Sequence, residues 1–296
     1  MVKAWTKNNV REIFHTLGRY LAIVGIVALG VGFFAGLKAT RPAMLRSGTE
    51  FTEQTRLFDF RLLSTLGMTQ EDVDYFAALP AVEYAEGANS VDFSAEMEEK
   101  ELTLKAISIP QEINRVDLRE GRLPQAANEC LADARRFTGT DIGRTLTVTE
   151  TSTDGALTVG TFTIVGLCET PLYLNIERGT TSLGGGTLNA FVCVLPEAFS
   201  ADYFTELYLY LNDTDRTLYT QSYNERIEAV RPTLQTALDE RVELRYQSII
   251  AQAREQLEEA RTEYDKGVAE YASEREKAEA ELTEAKQELD DPEQQL

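Results

Sequence analysis

The residues that would have to start any metal, nucleophile or phosphate chemistry are few: Cys130, Cys168 and Cys193, the single histidine His15, and the triplet Gly184-Gly185-Gly186. The cysteines stand 38 and 25 residues apart, with no Cys-x-x-Cys and no histidine beside them, whereas a zinc site uses close ligand pairs. Each lies in an apolar, strand-like context in which a thiol behaves as a small hydrophobe. In oxidising surroundings one pair could bridge, although neither the odd count nor the spacing demands it. A cysteine or serine nucleophile needs a base such as histidine, and His15 precedes an apolar segment that would place it across a membrane from the bulk of the chain. A phosphate-binding loop ends in Gly-Lys-Ser/Thr and opens a helix. Here the triplet runs into Thr187-Leu188-Asn189 and then a strand, which reads as a flexible or partner-contacting surface loop. Carboxylates abound, yet no pair of them stands out as acid and base. No catalytic, cofactor-binding or metal-ligating residue is therefore nominated, and the chain is not expected to be an enzyme.

Charge narrows the field further. The 296 residues hold 49 acids and 29 bases, a net charge of -20. Such a field repels nucleic-acid phosphates, so no nucleic-acid partner is expected. The distribution is uneven: residues 1–40 hold five bases and one acid, whereas residues 241–296 hold eight bases and sixteen acids. The length suffices for roughly two ordinary domains, and a composition of 43% hydrophobic and 26% charged residues supports a real core.

The elements that organise these residues begin with Tyr20–Leu37, eighteen consecutive residues without a charge or an amide. As a helix they cover about 27 Å, and a few flanking residues complete the ~30 Å hydrocarbon core. This predicts a cytoplasmic amphipathic segment at 1–19, a transmembrane helix at 20–40 and membrane lipids as partners. Arg19 precedes the run and Lys38 and Arg41 follow it; the bases upstream favour an N-terminus in the cytoplasm. The competing readings are a cleaved signal peptide, whose apolar region is shorter (~7–15 residues) and ends in small residues, and a buried soluble helix. Leu37-Lys38-Ala39 does not supply such a cleavage site. Ala28, Gly32 and Gly36 form a small-xxx-small stripe that admits another membrane helix, or reflect only the frequency of glycine in such helices. Val10, Ile13, Phe14 and Leu17 fit an interfacial helix on the cytoplasmic surface, or the wet end of one continuous helix.

From 41 to 240 the pattern turns to short strands. Leu57–Leu66, a helix capped by Thr69 and Asp72 and stopped by Pro80, and Val82–Phe93 read as a small βαβ unit. Further strands are expected at Leu102–Ile109, around Cys130, and at Thr145–Thr149, Phe162–Leu167, Ala190–Leu195 and Tyr203–Leu211. Arg119–Pro124 is expected as a turn, and helix takes over after about Asp213. The mixture is α+β with antiparallel or mixed strands.

The last region, 241–296, carries a helical seam: Ile250, Ala253, Leu257, Ala260, Tyr264, Gly267 and Tyr271, then, after a shift, Ala278, Leu282, Ala285 and Leu289. Small and apolar residues at this spacing, with charges elsewhere, predict a coiled coil. An isolated helix cannot bury such a seam, so a partner helix is implied, the helix forming half of a hairpin or pairing with another chain.

Several stretches resemble the FtsX-like ABC transporter permeases, the large Gram-positive type above all: Arg11-Glu12-Ile13, Leu17-Gly18-Arg19-Tyr20-Leu21-Ala22-Ile23 and Val27–Thr40 are similar to their first membrane helix. The region after it resembles a MacB-type extracytoplasmic core in Glu120-Gly121-Arg122, Glu129, Ile142-Gly143, Phe162–Leu167, Pro171–Leu174 and Glu177–Gly184. The resemblance implies the N-terminal portion of a permease in the bacterial cell membrane, with its main domain outside. It implies no cofactor on this chain, a cytoplasmic ABC ATPase subunit as partner, and the remaining permease helices or a second permease copy beside the first span. It also implies that the outer domain handles lipid, peptide, lipoprotein or cell-wall targets. Such permeases have at least four spans and this sequence has one, so the alternative is a single-pass adaptor or scaffold with an extracytoplasmic coiled coil, not coupled to ATP.

Overall fold

The computed structural model describes residues 5, 6, 11, 15, 17–217 and 220–290, the side chains of 288–290 apart. Of the interfacial segment, Val10, Ile13 and Phe14 lie outside the described residues. The fold class is α+β: an apolar N-terminal helix, a mixed sheet core and a long C-terminal helix. Two compact units divide the chain, Met1–Leu234 and Gln235–Leu296.

Helix α1 (Leu17–Gln54) carries the apolar run and continues from Lys38 through Pro42 to Gln54, about 25 Å beyond it. Strand β1 (Phe60–Met68) follows, then α2 (Gln70–Ala77) and β2 (Val82–Ala88). The Asp72 carboxylate accepts the Thr69 N–H at 2.7 Å, which is the returning half of a capping box. β1 and β2 do not pair with each other. β10 (Phe204–Leu211) lies between them and runs antiparallel to both. The expected βαβ unit is thus split by the last strand among the described residues.

The other sheet contains β3 (Ser90–Met97), β4 (Lys100–Ser108), β5 (Asp117–Gly121), β6 (Glu129–Asp133), β7 (Thr145–Thr151), β8 (Thr161–Glu169) and β9 (Ala190–Val194). Its order is β5-β8-β6-β9-β4-β3-β7, and β7 pairs again with β8. The sheet therefore closes into a six-stranded barrel, with β5 attached to the outer part of β8. The pairings are mixed: β4 with β9 and β6 with β8 are parallel. The inside is filled by side chains, among them Phe93, Leu104, Leu146, Phe162 and Ile164, all fully buried. Closure removes the exposed edges an open sheet would present.

Two local expectations change. Val82–Phe93 is not one strand, because the chain leaves the three-stranded sheet at Asn89 and enters the barrel at Ser90. The Asn89 side chain marks the crossing by donating to the Tyr203 carbonyl at 2.7 Å. Arg119-Glu120-Gly121 is not a turn but the end of β5. Gly121 sits at φ +80, where an added Cβ would lie 2.4 Å from the Val165 carbonyl oxygen. Only glycine combines that backbone with so close an approach.

Helix α3 (Gln221–Asp290) is 70 residues long, about 105 Å at 1.5 Å per residue. It begins twenty residues ahead of the seam region, and Val230 and Leu234 in its first turns are buried.

Candidate functional surfaces

The small-residue stripe of α1 lies on its open surface. Ala28, Gly32 and Gly36 are exposed, and an added Cβ at Gly32 or Gly36 would meet nothing within 4 Å. The whole apolar window is unburied, and its aliphatic and aromatic side chains, such as Ile26, Leu29 and Phe33, face outward all round. A helix apolar on every side belongs to a membrane or a large core. His15 is also exposed.

The seam of α3 is likewise open. Ile250 is half-buried, and every described side chain from Ala251 to Gln287 is exposed, which places Ala253, Leu257, Ala260, Tyr264, Tyr271, Ala278, Leu282 and Ala285 at the surface. Leu257, Tyr264 and Tyr271 are each about 70% exposed (68%, 71% and 68%). The side chain of Leu289 lies outside the described residues. The shift after Tyr271 inserts four residues into the heptad spacing. The structure thus gathers the seam onto one continuous helix.

A third feature escapes the sequence pattern. Where β1 and β10 meet the barrel there is a cleft of about 250 Å³. Arg61 on β1 holds Glu206 on β10 through two hydrogen bonds, Nε at 2.8 Å and an Nη at 2.6 Å. Ser90 donates to the same carboxylate at 2.8 Å, and the Tyr208 hydroxyl donates to it as well. Burial pushes the Glu206 carboxyl upward, but the hydrogen bonds from Arg61, Tyr208 and Ser90 prevail and hold it below the usual range. Burial, then the neighbouring Glu206 charge, raise the Tyr208 phenol, and burial raises Tyr173. Across the cleft Lys105 pairs with Asp92 at 3.0 Å.

The loop 174–187 forms one lip, pinned at its start. Arg135 donates to the Leu174 carbonyl at 3.2 Å, Arg136 to the Ile176 carbonyl at 3.1 Å, and Arg178 to the Asn175 carbonyl. Arg178 also grips Asp133 on β6 in a two-pronged pair, 2.6 and 2.9 Å, with both side chains 1% exposed. Its guanidinium lies 5.6 Å from the ring centres of Tyr173 and Phe191, which stack on each other. Arg61 and Glu206 are 145 residues apart and Arg178 and Asp133 are 45 apart, so no spacing rule could pair them. The one available signal was an arginine followed by glycine and threonines in a loop.

Gly184–Gly186 falls in a turn of this loop, where the Gly186 N–H donates to the Leu183 carbonyl at 3.0 Å. Among the described residues no cluster of three metal-binding side chains occurs. Cys130, Cys168 and Cys193 are free and buried, and burial pushes the Cys130 thiol up. The Cys168 and Cys193 sulfurs are 3.9 Å apart. β6 runs between their strands.

No protein-family model matches the chain, and no curated protein matches it. Among solved structures, the extracellular domain of the noncanonic ABC-type transporter YknZ from Gram-positive bacteria is similar over 52% of this chain and 78% of its own, with 12% identity and a TM-score of 0.34. The periplasmic region of MacB from Actinobacillus actinomycetemcomitans is similar over 57% of this chain and 75% of its own, with 10% identity and a TM-score of 0.34.

Proposed function

We propose that the chain is a membrane-anchored, non-catalytic component of an ABC-type transporter. In this reading a cytoplasmic ATPase drives membrane helices whose movement reaches an extracytoplasmic domain, and that domain handles a lipid, peptide, lipoprotein or cell-wall target. The observation that carries the anchoring is α1, whose charge-free run Tyr20–Leu37 is exposed throughout. In water such a surface is a large aggregation liability, whereas in lipid a helix satisfies its own backbone groups and its apolar side chains meet apolar solvent. Arg11 and Arg19 before the run support an N-terminus inside and the barrel outside. The transporter class is supported by the residues quoted from the first helix and the barrel. The mechanical role is supported by α1 itself, which continues as one helix from the apolar run to Gln54, five residues before β1.

Topology is tested with Gln252→Cys, an exposed position on α3. The native thiols are buried, so a membrane-impermeant maleimide added to intact cells should label the variant and spare the parent. Labelling that appears only after lysis would overturn the orientation. Coupling is tested by isolating the full chain from membranes in mild detergent. An ABC-type ATPase is expected to accompany it, with Gly32→Leu and Gly36→Leu weakening the complex; isolation without one in any detergent would argue for the adaptor.

A further inference from the structure

We propose that the cleft between β1, β10 and the barrel binds a small organic anion, a carboxylate or phosphate carried on a short aliphatic or aromatic body. The proposal does not rest on the transporter reading. Three cations converge on the cleft from separate elements: Arg61 from β1, Lys105 from β4 and Arg178 from the pinned loop. Glu206 is the one carboxylate among its lining residues, while Asp92 and Asp133, which pair with Lys105 and Arg178, stand behind the wall. The Glu206 carboxylate is already engaged by Arg61, Ser90 and Tyr208.

Arg61 and Lys105 retain donors, whereas the nitrogens of Arg178 are engaged by Asp133 and the Asn175 carbonyl. Arg61 spends Nε and one Nη on Glu206, and its other Nη has no partner among the described residues. Lys105 is ion-paired with Asp92 at 3.0 Å, and its ammonium group carries three donors. Charge-assisted hydrogen bonds from such groups are the strong class. Phe58, Ile107, Leu172 and Leu188 form the apolar part of the wall, which is where a hydrocarbon or aromatic body would lie. About 250 Å³ is below the 300–1,000 Å³ of drug-sized sites, so the ligand is small. The three arginine–carbonyl contacts order the lip in advance, which lowers the entropic cost of binding.

The test is isothermal titration of the full chain in zwitterionic nanodiscs, with empty discs as blank. The probes are hexanoate and phenyl phosphate, their uncharged counterparts hexanol and phenol, and inorganic phosphate. Saturable binding of at least one organic anion is expected, with the uncharged counterparts and bare phosphate much weaker. Lys105→Gln should weaken it about tenfold, the scale of one hydrogen bond to a charged group. Thr180→Trp, placed on an exposed residue at the mouth, should abolish binding without changing the unfolding midpoint. The proposal is overturned if neither anion saturates, if hexanol or phenol binds as tightly as its anionic counterpart, if inorganic phosphate binds as tightly as phenyl phosphate, or if Lys105→Gln binds like the parent.

Discussion

The barrel and the later part of α3 solve opposite problems with one alphabet. In the barrel, Phe93, Leu104, Phe162 and Ile164 are fully buried, and even a charged pair, Arg178 and Asp133, is enclosed. From Ala251 to Gln287 every side chain of α3 is exposed, apolar seam included. The barrel encloses most of its apolar side chains, so its sequence is constrained by its own interior. The later part of α3 has no interior of its own, and its Leu257, Tyr264 and Leu282 lie open. Stability should therefore be read from the barrel and association from the helix, and substitutions of equal chemical size should separate the two.

The largest separation is expected from the ion pairs. Asp133→Ala leaves Arg178 buried without its carboxylate, and breaking such a pair costs about 3–5 kcal/mol. Arg275 and Glu279 on α3 are a pair of equal formal charge at 2.7 Å, but 66% and 63% exposed. Arg275→Ala should change stability by less than about 0.5 kcal/mol. Urea unfolding of both variants decides the matter, and equal midpoints would break the contrast. Nearly as large is the apolar comparison. Phe162→Ala should cost about 3–5 kcal/mol, whereas Leu257→Ala should stay within about 0.5 kcal/mol for the chain alone. Leu257→Ala should instead weaken any helix–helix association, read by sedimentation or crosslinking.

The same contrast explains what the sequence made legible. The helices α1 and α3 were readable because an unbroken apolar run and a three-four spacing are local signals. Most strands were readable because half-buried strands alternate, and Ala190–Val194, buried along its whole length, showed as an apolar run. β5 was missed because a five-residue strand reading Asp-Leu-Arg-Glu-Gly is exposed almost throughout and held by one neighbour, β8. Its glycine looked like a turn residue but serves the close approach to Gly166. The split of the βαβ unit by β10 and the barrel closure through β7 and β8 depend on pairings far apart in sequence. The cleft was illegible for the same reason: Arg61, Lys105, Arg178 and Glu206 come together only after both sheets have formed.

Glycine gives the next comparison, at a smaller scale. Gly121 has φ +80 and backbone atoms within 2.6 Å of an added Cβ, whereas Gly267 lies in α3 with nothing within 4 Å. Gly121→Ala should destabilise the barrel by about 1–3 kcal/mol through the strained conformation and the clash. Gly267→Ala should stabilise the helix by about 0.8–1 kcal/mol, the propensity difference between the two residues. Both are measured by thermal unfolding followed at helical and aromatic wavelengths. If the two changes had the same sign, the strain assigned to Gly121 would be wrong.

The smallest expected effect is a difference of slope with pH, and its sign can be worked out. Hydrogen bonds from Arg122 and from the Gln125 N–H lower the Glu129 carboxyl to about 2, Arg119 holds Glu169 down, and Glu206 is lowered as described. Between about 4.5 and 2 these folded carboxylates bind fewer protons than their unfolded counterparts, which titrate near 4.3. Stability then rises with pH across that window: it is complete above it and is lost as the pH falls toward 2. On the helix the charge balance points the other way. Residues 241–296 carry sixteen acids and eight bases, and neutralising an excess of like charges removes i,i+4 repulsion. Acidification should therefore erase the near-ultraviolet aromatic signal of the barrel while the far-ultraviolet helical signal persists. Glu206→Gln should flatten the acid limb of the first without touching the second. Loss of both signals at one midpoint would mean that the two regions unfold together, and that α3 draws its stability from the barrel rather than from its own chain.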